Sequence, residues 1–269
     1  NFRIALSLGL DRDVLNESLY LGTGIVQNWV PHPSTPYYPG DDVAQLNIQH
    51  DVDRANTLLD AILPDKDAEG FRLRTDNGER LVINAAYPFN DQTQKINIFE
   101  LIVPMWAEIG IELEYSVVQS VAALIRSGEA TISSAGTKGH YTANPWIGTG
   151  GSLQCQSGGC SFASDVGLWA ETKGEKGMGI GPDTSYLPLA PADTYPVDVS
   201  GNIKRAQEIF NEGRAYSRFH PKRIEIGKEL FRLNAEEMFV IPIAAFSGQF
   251  RGVMLSRNNF RGVPRQHFP

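Results

Sequence analysis

Positive charge is in short supply in this chain: 24 Lys and Arg face 31 Asp and Glu across 269 residues, a formal net charge of −7. Such a balance disfavours long-range steering toward nucleic acid or anionic lipid, while leaving room for a local basic patch. Long apolar runs are lacking as well. The longest stretch without a charged side chain, residues 141–164, is rich in Gly, Ser, Gln, Asn and Pro. It cannot serve as a transmembrane helix and reads as loop or cleft lining. The opening residues show no basic leader followed by an apolar segment and a small-residue cleavage site, a pattern that a mature product or an internal piece shares.

Cysteine occurs twice, as Cys155 and Cys160, separated by QSGG. The pair is compatible with a disulfide in an oxidising compartment, with two unrelated thiols, or with part of a metal site. Structural zinc asks for four ligands, and beyond His140 no fourth is evident. Asp65, Asp67, Glu69 and Gly70 begin like a cation loop, but the glutamate that closes an EF-hand is missing at its spacing, so a solvated tight turn is the better reading.

What is present is an α/β pattern. A chain of this length can bury roughly 75% of its extended surface, enough for one large domain or two small ones. The segment FRIALSLGLDRDVLNESLYL, from Phe2, reads as two short amphipathic pieces joined at Gly9-Leu10-Asp11. Asp11 can cap a helix beginning at Arg12, which Gly22 and Gly24 should stop. Residues 31–41, PHPSTPYYPGD, carry four prolines and two tyrosines, an ordered loop whose rings can either line a cleft or pack on the core. Ala55, Leu58, Leu59 and Ile62 recur at helical spacing behind Asp51 and Asp53. A strand over 81–87, a helix over 93–109 and a strand over 111–117 make a β-α-β unit with parallel strands. A helix over 118–126 and a strand over 130–134 extend it. The glycine-rich interval 136–184 is longer than an ordinary connection. Helices over 201–210 and 221–236 follow, then a strand-like return over 239–243 with Pro242 at its end.

The stretches FRIALSLGLDRDVLNE, PHPSTPYY, HDVDRANTLLD, DKDAEGFRLR, EIGIELEY, GEATI, HPKRIEIGKELFRL, EEMFVIPI and NNFRGVP occur in an order that resembles the family 5 extracellular solute-binding proteins. That group includes the oligopeptide-, dipeptide- and nickel-binding components of ABC importers. The resemblance implies a periplasmic binding protein-like (type II) α/β fold. Residues 1–236 would form the second lobe, and residues 237–269 a crossover belonging to an absent first lobe. It also implies an extracytoplasmic location, periplasmic or lipid-anchored through a missing N-terminal part, and partnership with an importer permease. Where such proteins resemble G-W-x-x-D, with an aspartate for a peptide amine, this chain has Gly136-Thr137-Lys138-Gly139-His140-Tyr141. A buried ammonium needs an anion or a cluster of acceptors, so that departure weakens recognition of a peptide amine.

A solute site needs a shaped wall and a few polar groups in place of water. His140, Tyr141, Asn144 and Trp146 follow a predicted strand, where a parallel sheet presents loops to a cleft. Gln154 and Gln156 offer amide contacts, and Trp169 an aromatic face. Each has an ordinary alternative: Trp146 and Trp169 can plug packing gaps, Asn144 can satisfy loop backbone, and His140 can hold a structural hydrogen bond. Asp165 and Glu171 have no diagnostic spacing for acid–base work. Arg251, Arg257, Arg261 and Arg265 read as exposed groups on the crossing segment rather than as a nucleic-acid surface. The expectation is capture, without catalysis or cofactor, of an oligopeptide, with an oligosaccharide or another polar solute as the alternative and a hydrolase as a more distant one.

Overall fold

The computed structural model describes residues 1–88, 94–118, 124, 129–133, 144–146, 153–156, 160, 162–173, 175 and 201–246. Helix α1 (Phe2–Leu8) and helix α2 (Arg12–Tyr20) meet at Gly9, where an added Cβ would come within 2.9 Å of Ile109 Cδ1. The Asp11 carboxylate caps α2 by accepting from the Asp13 and Val14 N–H groups. The helix stops before the expected glycines, because Leu21 itself turns left-handed at φ 53° and its N–H bonds back to Glu17. Strand β1 (Gly24–Ile25), helix α3 (Asp41–Ala44) and helix α4 (Val52–Asp60) follow, α4 capped by Asp51 as its position suggests.

Next come strand β2 (Val82–Pro88), helix α5 (Gln94–Ala107) and strand β3 (Glu112–Val118), the β-α-β unit with boundaries within a residue or two of expectation. Strands β2 and β3 pair in parallel, and strand β4 (Ile132–Ser133) joins the other edge of β2, also parallel, for the order β3-β2-β4. Because β3 runs through Val118, no helix begins there; beyond it, Leu124 is helical and 119–123 lie outside the described residues. Helix α6 (Ser164–Glu171), helix α7 (Asn202–Arg214), helix α8 (Pro221–Glu237) and strand β5 (Ala245–Phe246) complete the described elements.

Two apolar clusters hold these pieces. The first gathers Leu8, Leu15, Leu59, Ile83, Phe99, Ile102, Trp106, Ile109 and Ile111, so that α1, α2, α4 and α5 cover the sheet. Trp106 fills it without orphaning its indole, since Nε1 donates to the Leu6 carbonyl at 3.0 Å. The second gathers Val30, Tyr37, Val43, Ile209, Phe210, Ile226, Leu230 and Phe231, fastening the proline-rich loop and α3 against α7 and α8. The loop's tyrosines serve that packing: Tyr37 is buried and donates to the Arg218 carbonyl, while Tyr38 donates to Asp41.

Two buried arginines stitch irregular chain to these helices. Arg72 has no exposed surface and donates to the Ile109 and Leu63 carbonyls and to Asn56 Oδ1, with Asp60 2.8 Å away as its counter-ion. Arg12 is 2% exposed and donates to the carbonyls of Ser7, Ile48 and Pro242 and to the Ser7 hydroxyl. A buried guanidinium is tolerable when its N–H groups find acceptors, as they do here.

The segment 239–243 corrects the sequence reading. It is not a strand: Phe239 stacks on Phe162, centroids 4.3 Å apart, and the Pro242 carbonyl is taken by Arg12. Pairing begins two residues later, where β5 runs antiparallel to β1. Proline removes a ladder donor, and a side-chain donor claims the carbonyl. The tail that contains NNFRGVP lies outside the described residues.

Candidate functional site

The three parallel strands end along one edge of the sheet. β2 ends at Pro88, β3 at Val118 and β4 at Ser133, with Pro88 beside Val118 and Ala86 beside Ser133 in register. All three strands therefore send their chain out at the same carboxyl edge, where open parallel sheets place ligands. The segments that follow, 89–93, 119–123 and 134–143, lie outside the described residues, and His140 and Tyr141 lie with them. On the described part of this edge, Val117 is 44% exposed and Tyr115 stacks on Phe99 at 5.8 Å.

Asn144 and Trp146 are placed, and their contacts are internal. The Asn144 side-chain oxygen accepts from the Trp146 N–H, closing a short turn. Trp146 Nε1 donates to the Phe210 carbonyl at 2.9 Å; its ring stacks on Phe210 and tilts against Tyr37, with the Arg223 guanidinium 4.6 Å from the ring centre. Gly213 on α7 and Gly227 on α8 make the socket. A Cβ on Gly213 would lie 2.0 Å from the Trp146 ring, and one on Gly227 3.0 Å from it and 2.6 Å from Tyr37. Glycine inside a helix costs stability relative to alanine, so two such glycines in α7 and α8 are a sequence signal for a docked aromatic that apolar periodicity alone does not carry.

Gln154 is buried and Gln156 donates to the Gln207 carbonyl, while the Gln207 amide donates back to the Cys155 carbonyl. Cys155 and Cys160 are joined by a disulfide with Cα atoms 4.8 Å apart, packed against Val166 of α6. Trp169 is buried on that same helix. The structure thus gathers Asn144, Trp146 and Gln156 on the α7–α8 layer, with the disulfide and α6 beside them. It does not bring these residues to the described part of the sheet edge.

A separate hollow of about 260 Å³ is lined by Asp11, Arg12, Asp13, Val26, Gln45, Ile48, Gln49 and His50, with no residue from the parallel strands. Burial holds the Arg12 guanidinium down to about 10, but its N–H groups are committed to internal acceptors. His50 Nδ1 lies 3.6 Å from Asp11, a loose ion-pair geometry for a partly exposed pair. Among the described residues no group of three or more His, Cys, Asp or Glu is arranged to hold a metal ion. The Asp65–Gly70 stretch forms a turn instead: Asp67 accepts from the Glu69 and Phe71 N–H groups and pairs with Arg80 at 2.6 Å.

Residues 1–153, more than half of the chain, match the family described as bacterial extracellular solute-binding proteins, family 5 middle. The chain belongs to this family. Family 5 proteins are non-catalytic, transport-associated solute binders. Among solved structures, the chain resembles an oligopeptide-binding protein OppA, with a TM-score of 0.65 at 19% identity over 89% of this chain and 36% of that one. It resembles the periplasmic binding protein MelB from Agrobacterium fabrum, determined with stachyose, at 0.56 and 17% over 89% of this chain and 32% of that one. It also resembles NikZ from Campylobacter jejuni, determined with Ni(L-His), at 0.57 and 12% over 91% of this chain and 41% of that one. These likenesses establish a shared fold, and the chain spans between about a third and two fifths of the length of each of them. No curated protein matches it by sequence.

Proposed function

We propose that this chain forms the second lobe of an extracytoplasmic solute-binding protein that captures an oligopeptide and delivers it to an ABC importer. Residues 1–236 make the lobe, and 237–269 carry the chain back toward a first lobe. The observation that supports this reading is the shared carboxyl edge of β2, β3 and β4, in a chain that belongs to family 5. His140 and Tyr141, on the segment leaving β4, are the direct ligand candidates. Asn144, Trp146, Gln154, Gln156 and Trp169 are the further candidates; the contacts of Asn144, Trp146 and Gln156 among the described residues are internal, which suits a supporting role better than direct contact with the solute. Closure of two lobes over the ligand requires contacts that are stronger in the closed state than in the open one. An anchor through lipid at the N-terminal side suits delivery to a permease.

A second reading, an oligosaccharide or other polar solute, is favoured by the stretch Gly136–Tyr141, which offers no aspartate for a peptide amine, and by the uncharged run 141–164. Calorimetric titration of the intact protein with matched peptide and oligosaccharide pools separates the two. Saturable heat with peptides supports the first reading, and saturable heat with sugars alone rejects it. Mass analysis of the recovered ligand tests capture without conversion: a cleaved ligand overturns it.

A further inference from the structure

Residues 213–224, GRAYSRFHPKRI, contain Arg214, Arg218, Lys222 and Arg223 and no carboxylate, in a chain whose net charge is −7. The fold gathers them at one end of a helical hairpin. Arg214 is the last residue of α7 and Pro221 the first of α8, and the helices run antiparallel, tied by an Arg205–Glu229 pair at 2.6 Å. On the connection between them stands Phe219, 77% exposed, with the Arg218 guanidinium 5.4 Å from its ring centre. Arg214 lies over Phe210, and Arg223 is turned inward onto Trp146 and the Tyr216 carbonyl. Glu225 pairs with Lys222 at 3.3 Å and Glu212 precedes the run; among the described residues neither Arg214 nor Arg218 has a carboxylate at ion-pair distance.

A helix connection with one large exposed apolar side chain is too small for a protein–protein core, which takes about 800 Å² from each partner. Free phosphate would account for the arginines and leave Phe219 without a role. An anionic bilayer accounts for both, because an aromatic ring settles at the headgroup boundary while cations meet lipid phosphates. The chain's overall negative charge does not prevent this, since at physiological salt its repulsion is screened beyond about 8 Å. We infer that the α7–α8 tip is a docking point for an anionic lipid surface, with Phe219 inserted and Arg214, Arg218 and Lys222 at the level of the phosphates. The inference does not depend on which solute the protein carries.

Vesicle flotation of the protein produced without a lipid anchor tests it, with phosphatidylcholine alone compared with phosphatidylcholine mixed with phosphatidylglycerol. Binding is expected only with the anionic lipid. Each arginine near such a surface contributes about 1 kcal/mol, so Arg214→Gln combined with Arg218→Gln should lower partitioning about thirtyfold. Phe219→Ser should lower it about tenfold through lost apolar burial. Should either variant alter the thermal melt, Phe219→Trp serves instead: its emission should shift to the blue on anionic vesicles beyond the shift of the parent protein. Absence of flotation, equal flotation with both lipids, or unchanged partitioning of the variants overturns the inference. So does full competition by soluble glycerol phosphate, which assigns the site to free phosphate. Tight binding of polyglutamate without flotation assigns it to an acidic protein and overturns it equally.

Discussion

Gly213 and Gly227 matter through the space they leave. The Trp146 ring occupies the room a methyl group would take, and Phe210, Tyr37 and Arg223 complete its surroundings. Gly213→Ala is therefore expected to expel the ring, even though alanine is the better helix former, and to destabilise the protein by about 1–3 kcal/mol through overpacking. Trp146→Ala should cost about 3–5 kcal/mol, the range for an aromatic removed from a packed site. Denaturant midpoints measure both, and an increase in stability for Gly213→Ala would remove the socket account. The disulfide makes a separate residue-level prediction. It spans a sequence separation of 5, and in the chain-entropy view so short a loop is worth about 2 kcal/mol. Cys155→Ser with Cys160→Ser should lower stability by that amount, and peptide mass mapping without reduction should recover the two cysteines linked. Alkylation of both in freshly isolated, unreduced protein would contradict the bond.

At the scale of the element, the turn over residues 65–72 illustrates how a loop can be held by charge. Burial tends to raise the Asp67 carboxyl, but the Phe71 N–H, the Arg80 guanidinium and the Glu69 N–H outweigh it and hold the group below its ordinary 3.8. A carboxylate depressed in the folded state contributes stability that is present above the unfolded value and lost as pH falls through the lower, folded one. The parent protein should thus exceed Asp67→Asn in melting temperature at neutral pH, and the gap should narrow as pH drops below 3.8. A gap independent of pH would show that the hydrogen bonds, not the charge, carry the effect. The β-α-β unit that follows this turn in the chain is legible because its signals are local: Ile111, Leu113 and Tyr115 alternate, and Ile98, Leu101, Ile102 and Met105 recur at helical spacing. The segment 239–243 departs from its strand expectation because Phe-Val-Ile-Pro-Ile has strand composition, whereas its contacts are to Phe162 and Arg12, far away in sequence. For the same reason Trp146 was open to two readings. Its chemistry suits a ligand wall, and only the remote Gly213, Gly227 and Phe210 reveal the socket.

Across the whole molecule, the described C-terminal segment is bound to the first twenty-five residues by several independent contacts. Arg3 donates to the Glu237 carbonyl and lies 5.4 Å over Phe239, Arg12 donates to Pro242, and β5 pairs with β1. Arg12 is the junction, since the same guanidinium also holds Ser7 and Ile48. Replacing it with methionine keeps much of its volume but leaves carbonyls at three separate places in the chain without their donor. Each buried carbonyl left without its donor costs about 1–3 kcal/mol. The loss should also be localised, because Leu8, Leu15 and Ile109 of the first cluster retain their packing. In Arg12→Met, amides of 243–246 and 47–50 should exchange with solvent at least about tenfold faster, while those of β2 and β3 change by no more than the global loss of stability demands. Uniform acceleration throughout the chain would mean that Arg12 supports the fold as a whole. Selective acceleration would identify it as the clasp that holds residues 242–246 against α2 and the 47–50 segment, because its three carbonyl acceptors belong to those places and to the end of α1.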